Sequence, residues 1–329
     1  MLKPHHRQYA AVFLFDLSMV AGLTVSPFYI FHFLGGGALM SGVVTGLQWG
    51  LYAASCLLSA RHVSRARNGL SWAVAGAAGF AVLFPLAPLV KNPYFFGVLT
   101  TTAMASTGLF WPAMQAWIGA EPDRRLRLRR MSHYNLSWTV GLTIAPILAG
   151  PLYNADYRLP FLLVFATAAG AMALVMSLPH ESKHFQAPTE EMIAAHAAHD
   201  RESEAHLPTA WGALLIGCAL IAAMCAVFSL RMEELVKESR LSLLWRPTDA
   251  PLAGTAVTYF AWLALIMYAT RAGTSLVMGV THLWQHKFWL LALTQVAAGG
   301  ACWVLAQTSS LAVMIVCALA IGVAAGVSF

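Results

Sequence analysis

The chain has 329 residues, of which 59% are hydrophobic and 10% charged, with a formal net charge of +6. Soluble proteins carry about 25% charged residues, so this composition excludes a water-soluble globule; the basic excess lies in short gaps between apolar runs, which argues against a nucleic-acid partner. Five cysteines (Cys56, Cys218, Cys225, Cys302, Cys317) all sit inside apolar runs without CxxC or metal-ligand spacing, which excludes a disulfide framework and a zinc site.

A spanning helix needs about 20 predominantly apolar residues, because the hydrocarbon core is about 30 Å thick and each residue rises about 1.5 Å. In chain order the predicted spans are 9–31, 39–60, 70–90, 94–117, 134–154 and 158–178, then 209–231, 255–281, 288–306 and 311–329. The first run is too long for a signal-peptide core of about 7–15 residues, and no small-residue cleavage site follows it. Between the sixth and seventh spans lies the one long polar stretch, Pro179–Pro208, with six acidic residues and five histidines (His180, His184, His196, His199, His206). It reads as a solvated, partly helical linker. The expected fold is therefore all-α and polytopic, with a six-helix half at 1–178, a cytoplasmic linker at 179–208 and an incomplete second half of four helices at 209–329.

Counting Lys and Arg by side gives 13 with the amino terminus and 6 opposite, Arg271 being left within a span. Basic residues stay on the cytoplasmic side, so the amino terminus is expected inside, in a cell (plasma or inner) membrane. Five arginines in Asp123–Arg130 (DRRLRLRR), read as a loop, carry much of that asymmetry. The last apolar run ends at Phe329 with no polar tail, so about 70–80 further residues forming two more helices are expected.

Function must lie in what breaks the apolar pattern. Asp16 in the first span and Arg271 in the eighth are the deep charges, each costing a few kcal/mol in lipid unless it faces protein or water. Arg271 is expected to contact substrate or a gate through its fork of donors, and Asp16 to carry a proton or serve a gate. Ending the eighth span at Thr270 would strand the apolar Ser275–Val280, so Arg271 is placed inside the helix. Gln115, Asn135, Trp111 and Tyr268 are the secondary cavity candidates, with Thr24, Tyr29 and Trp138 as further polar or aromatic positions. Gly42, Gly46 and Gly50 share one helix face and are expected to let two helices approach closely. Gly141–Gly150 repeats small residues every four positions around Pro146, which favours a bend. No GxGxxG, Walker, GxSxG or HExxH pattern occurs, so no catalytic residue, cofactor or metal is assigned.

The stretch Phe110–Ile118 (FWPAMQAWI), the basic loop, Asn135–Trp138 and Gly141–Gly150 together resemble the major facilitator superfamily. The fifth span is similar to that family's GxxxGPxxGG signature, with Ala145 and Ala149 in place of two glycines. Ala60–Gly69 is similar to its loop signature GxLxDRxGRR, with Arg65 matching and Ser64 where the acidic residue belongs. The resemblance implies two parallel six-helix repeats. Consistent with this, a shift of 219 positions lays Leu70 on Trp289 and places the tenth span near 313. It also implies secondary transport of a small solute by alternating access, with protons as a candidate coupling ion and a gating role for Arg65. Two other classes remain compatible with the residues: a non-transporting receptor or scaffold of the same fold, and a membrane-embedded lipid enzyme. The enzyme would need clustered acid, base or metal ligands at one depth.

Overall fold

In lipid every backbone N–H and C=O must be paired within the protein, so apolar segments of this length become helices. A computed structural model describes residues 3–63, 69–121, 123–179, 219, 222–224, 228–243, 255–280 and 288–328. The helices are α1 (Pro4–Leu34), α2 (Ala38–Val63), α3 (Leu70–Leu86, extended by a 3-10 turn at Ala87–Leu89), α4 (Pro93–Gly119), α5 (Arg124–Ala155) and α6 (Leu159–Met176). They are followed by α7 (Ser229–Lys237), α8 (Ala256–Val280), α9 (Phe288–Gln307) and α10 (Leu311–Ser328). Among the described residues, seven helices are long and apolar enough to cross a membrane: α1, α2, α3 with its extension, α5, α6, α8 and α9. The chain is an all-α, multi-pass membrane bundle.

Local chemistry sets the helix ends. Pro4 opens α1, where its missing N–H costs nothing. Gly35 closes it at φ 64°, the left-handed turn that lets the Gly36 N–H reach the Ile30 carbonyl at 3.0 Å. Asn92 caps α4 through its side-chain oxygen, which accepts from the N–H groups of Tyr94 and Phe95.

Two boundaries differ from expectation. The arginine-rich stretch read as a loop forms the first turns of α5, because Asp123 is an N-cap accepting from Arg125 N–H at 2.8 Å and Leu126 N–H at 3.2 Å. Two of its five arginines are held by Glu121: Arg130 pairs with the carboxylate and Arg127 donates to the backbone carbonyl. Most of the seventh span, expected at 209–231, lies outside the described residues; the helix described at its end, Ser229–Lys237, is amphipathic and runs past the expected boundary at Arg231. Arg65 and the linker histidines lie outside the described residues.

Packing is organised around α1, buried along most of its length against α5 and α6. α3 and α4 complete the first group, with α2 laid on α4; α8 packs on α10, and α10 on α9. The two groups meet where α5 crosses α8 and where α1 touches α7 and α8.

Among the described residues, nothing packs closely on the glycine face of α2. A Cβ at Gly42, Gly46 or Gly50 would meet nothing within 4 Å among the described residues. The α2–α4 contact instead uses the opposite partner's glycine. A Cβ at Gly108 would run into the Ser55 hydroxyl, and Cys56 N and Tyr52 O at 2.8 and 2.9 Å. Ser59 seals the contact by donating to the Gly108 carbonyl at 2.6 Å.

Candidate functional site

One face of α5 carries Tyr134, Trp138, Gly141, Ala145 and Ala149, because spacings of four and three return to the same side of a 3.6-residue helix. Gly141 brings this face against α1: a Cβ there would lie 2.5 Å from the Phe13 carbonyl and 3.4 Å from Asp16 Cβ. Absence of a side chain at position 141 therefore fixes where the Asp16 carboxylate sits. Asp16 is 2% exposed, and its Oδ2 has no hydrogen-bond partner among the described residues.

Arg271 approaches the same face from the other group. On α8, Phe260, Ala264, Met267 and Arg271 form a buried stripe at helical spacing, and Arg271 is 6% exposed. Its helix runs to Val280, so the charge lies well inside a span, as the length argument required. α10 holds that segment of backbone closely, since a Cβ at Gly326 would sit 2.8 Å from the Arg271 carbonyl. The guanidinium carbon lies 4.8 Å from the centre of the Trp138 ring, a cation–π contact worth about 2 kcal/mol when desolvated. It also interacts electrostatically with the Asp16 carboxylate. The two deep charges, 255 positions apart in sequence, thus converge on one face of α5 from opposite sides. Each offsets part of the other's desolvation.

The secondary candidates separate into two groups. Asn135 accepts from Trp138 Nε1 at 3.2 Å and so orients the ring that carries Arg271. Gln115 is exposed on α4 and lies beside the Tyr134 hydroxyl without hydrogen-bonding geometry. Tyr268 is buried on α8, one turn before Arg271. Trp111 is packed edge-on against Phe15 and Phe110, with its indole N–H buried and unpartnered among the described residues. Thr24 and Tyr29 do not line this space: Thr24 donates to the Val20 carbonyl of its own helix and Tyr29 to Pro88. Pro146 and Gly150 lie further along α5, where Gly150 faces Ala261 of α8.

Tyr134 was not among the sequence candidates. It is 1% exposed, its hydroxyl is unpartnered among the described residues, and it lies within electrostatic range of Asp16. Its spacing of four from Trp138 was the available signal.

Beyond the charges, the groups are joined at the end of the bundle far from the amino terminus. Asn154 of α5 donates to Thr258 of α8 at 2.9 Å and accepts from Thr255 at 3.1 Å, and Phe28 of α1 packs edge-on against Phe260. No group of three or more His, Cys, Asp or Glu side chains is placed to hold a metal among the described residues.

Residues 9–329 match the family model described as Major Facilitator Superfamily. No curated protein matches the chain. Among solved structures, a bacterial homologue of the human lysosomal transporter Spinster, in an inward-facing and unoccupied conformation, is similar with TM-score 0.71 and 15% identity, over 100% of this chain and 75% of that one. The nucleoside transporter NupG is similar with TM-score 0.68 and 13% identity, over 99% and 80%. A peptide transporter POT in complex with sulfate gives TM-score 0.63 and 13% identity, over 99% and 80%. At these identities the likeness is one of fold.

Proposed function

The chain belongs to the Major Facilitator Superfamily, and from that premise we propose that it moves a small solute across a membrane by alternating access, with the solute site around Asp16, Trp138 and Arg271. The proteins whose fold it shares are transporters, of nucleosides and peptides among others. The observation that carries the reading is the placement of opposite charges on α1 and α8, at the seam between the two groups of helices. Rocking one group against the other must change the partners of both charges, so a solute that pairs with either biases the motion.

Arg271 is the solute-facing cation, held in place by Trp138. Asp16, with one oxygen unpartnered among the described residues, is the group for proton coupling. Asn135, Gln115 and Tyr268 form the surrounding wall, and Tyr134 joins them. The excess of Lys and Arg on the amino-terminal side supports a cytoplasmic amino terminus in the cell (plasma or inner) membrane. The end joined by Asn154, Thr255 and Thr258 then faces away from the cytoplasm.

The test begins with a thermal-shift screen of purified protein against metabolite classes, since a ligand of the folded state raises its melting point. A hit is carried into counterflow in proteoliposomes. The reading predicts exchange of the solute that Arg271→Ala abolishes while membrane insertion is kept. Unchanged exchange in Arg271→Ala removes that residue from the site, and binding without exchange favours a receptor.

A further inference from the structure

The far end of the bundle holds a second polar cluster that the proposed solute site does not use. His32, in the last turn of α1, is engaged at both ring nitrogens: Nδ1 lies 3.0 Å from the Tyr153 hydroxyl of α5, and Nε2 lies 3.0 Å from Glu233 Oε1 of α7. An ionised carboxylate only accepts, so Nε2 carries the hydrogen toward Glu233. Nδ1 then accepts from the Tyr153 hydroxyl when the ring is neutral and donates to its oxygen when the ring is charged. Either form bridges the three helices. The imidazolium–carboxylate bond is charge-assisted and the stronger of the two.

α1 and α5 belong to one group of helices and α7 packs with the other, so the bridge crosses the seam that rocking must open. We propose that His32 is a proton-sensitive latch of this far gate, held by Glu233, oriented by Tyr153, and closing more tightly as pH falls. The proposal rests on the alternating-access reading but is measured without any solute.

Among the described residues the neighbouring charges are as follows. On α7, Arg231 donates to Glu234 at 3.2 Å, and Lys237 lies a turn beyond. Between α5 and α6, Arg158 lies 5.2 Å from the Tyr157 ring centre, with Asp156 accepting from its backbone N–H. Tyr29 of α1 lies near both Tyr153 and Tyr157. From α8 the apolar Phe260 packs on Phe28, whose ring in turn neighbours His32. Histidine is the side chain whose charge ordinarily changes between pH 5 and 8.

The experiment uses the full chain with its five cysteines replaced and one reporter, Ala261→Cys, which is buried on α8 against Gly150 of α5; Ala264→Cys, also buried, serves as a second reporter. Maleimide labelling in detergent is normalised at each pH to Leu39→Cys, an exposed position. The latch predicts that the normalised rate rises about three- to ten-fold between about pH 5.5 and 8, as the charge-assisted bond is lost. His32→Gln keeps a donor and an acceptor but does not titrate, so it flattens the profile; Glu233→Gln does the same. A flat profile in the parent, or one that survives His32→Gln, overturns the latch. Absence of solute exchange with an intact labelling profile would instead count against transport alone.

Discussion

Arg271 lies over an aromatic face on α5 and within electrostatic range of a carboxylate on α1, and each neighbour makes its own prediction. Arg271→Lys keeps the charge but replaces a planar, delocalised fork with a point charge, so the Trp138 contact weakens by about 1–2 kcal/mol. Solute affinity measured by thermal shift should fall about ten-fold, and Trp138→Ala should cause a similar loss. Asp16→Asn removes the titrating group while keeping its shape. Exchange that depends on a pH gradient should then lose that dependence while counterflow persists, and a retained pH dependence would assign coupling elsewhere. Both charges were legible because a charge inside an apolar run announces itself. Their convergence was not, since nothing local links position 16 to position 271. His32, Tyr153 and Glu233 were hidden for a related reason. They sit near helix ends, where polar residues are ordinary, and meet across 121 and 201 positions.

At the scale of the helix, apolar length located the spans that fall on described residues, because lipid leaves the backbone no alternative to internal pairing. It failed where polar sequence continued a helix beyond the span. Asp123 followed by a basic run looks like a loop on composition alone, yet the aspartate side chain satisfies the first free N–H groups and starts α5 there. Asp123→Ala should cost about 1 kcal/mol at that end, read as faster hydrogen exchange at Arg125 and Leu126. Small-residue spacing was similarly ambiguous. The repeats at Gly42–Gly50 and Gly141–Gly150 read alike in sequence, but the first faces open space among the described residues while Gly141 lies against the backbone of α1. Alanine at Gly42, Gly46 or Gly50 should therefore leave the melting temperature unchanged or slightly raised, since alanine is the better helix former. Gly141→Ala forces a methyl against the Phe13 carbonyl and should lower it by several degrees. Equal effects at the two sites would mean that the α2 face is packed after all.

Across the whole molecule, helix contacts are of two kinds, those within a group and those between the two groups, and the proposed alternation must break only the second. The packing of α1 on α5, close at Gly141, lies within one group and can persist through a rocking motion. The bonds from Asn154 to Thr255 and Thr258, the Phe28–Phe260 contact and the His32–Glu233 bridge all cross the seam at one end. Each of these crossing contacts is small, and partly exposed ones contribute only about 0–1 kcal/mol. The far end is thus held by several weak ties, as the proposed gate requires if it is to open on the microsecond-to-millisecond scale. Covalent closure should override them all. With the native cysteines replaced, Asn154→Cys combined with Thr258→Cys and bridged by a short thiol crosslinker should abolish solute counterflow, and a reducible linker should restore it on reduction. Each single cysteine treated in the same way should keep exchanging. If the bridged protein still exchanged solute, the far end would not need to open, and alternation between the two groups of helices would fail as the mechanism.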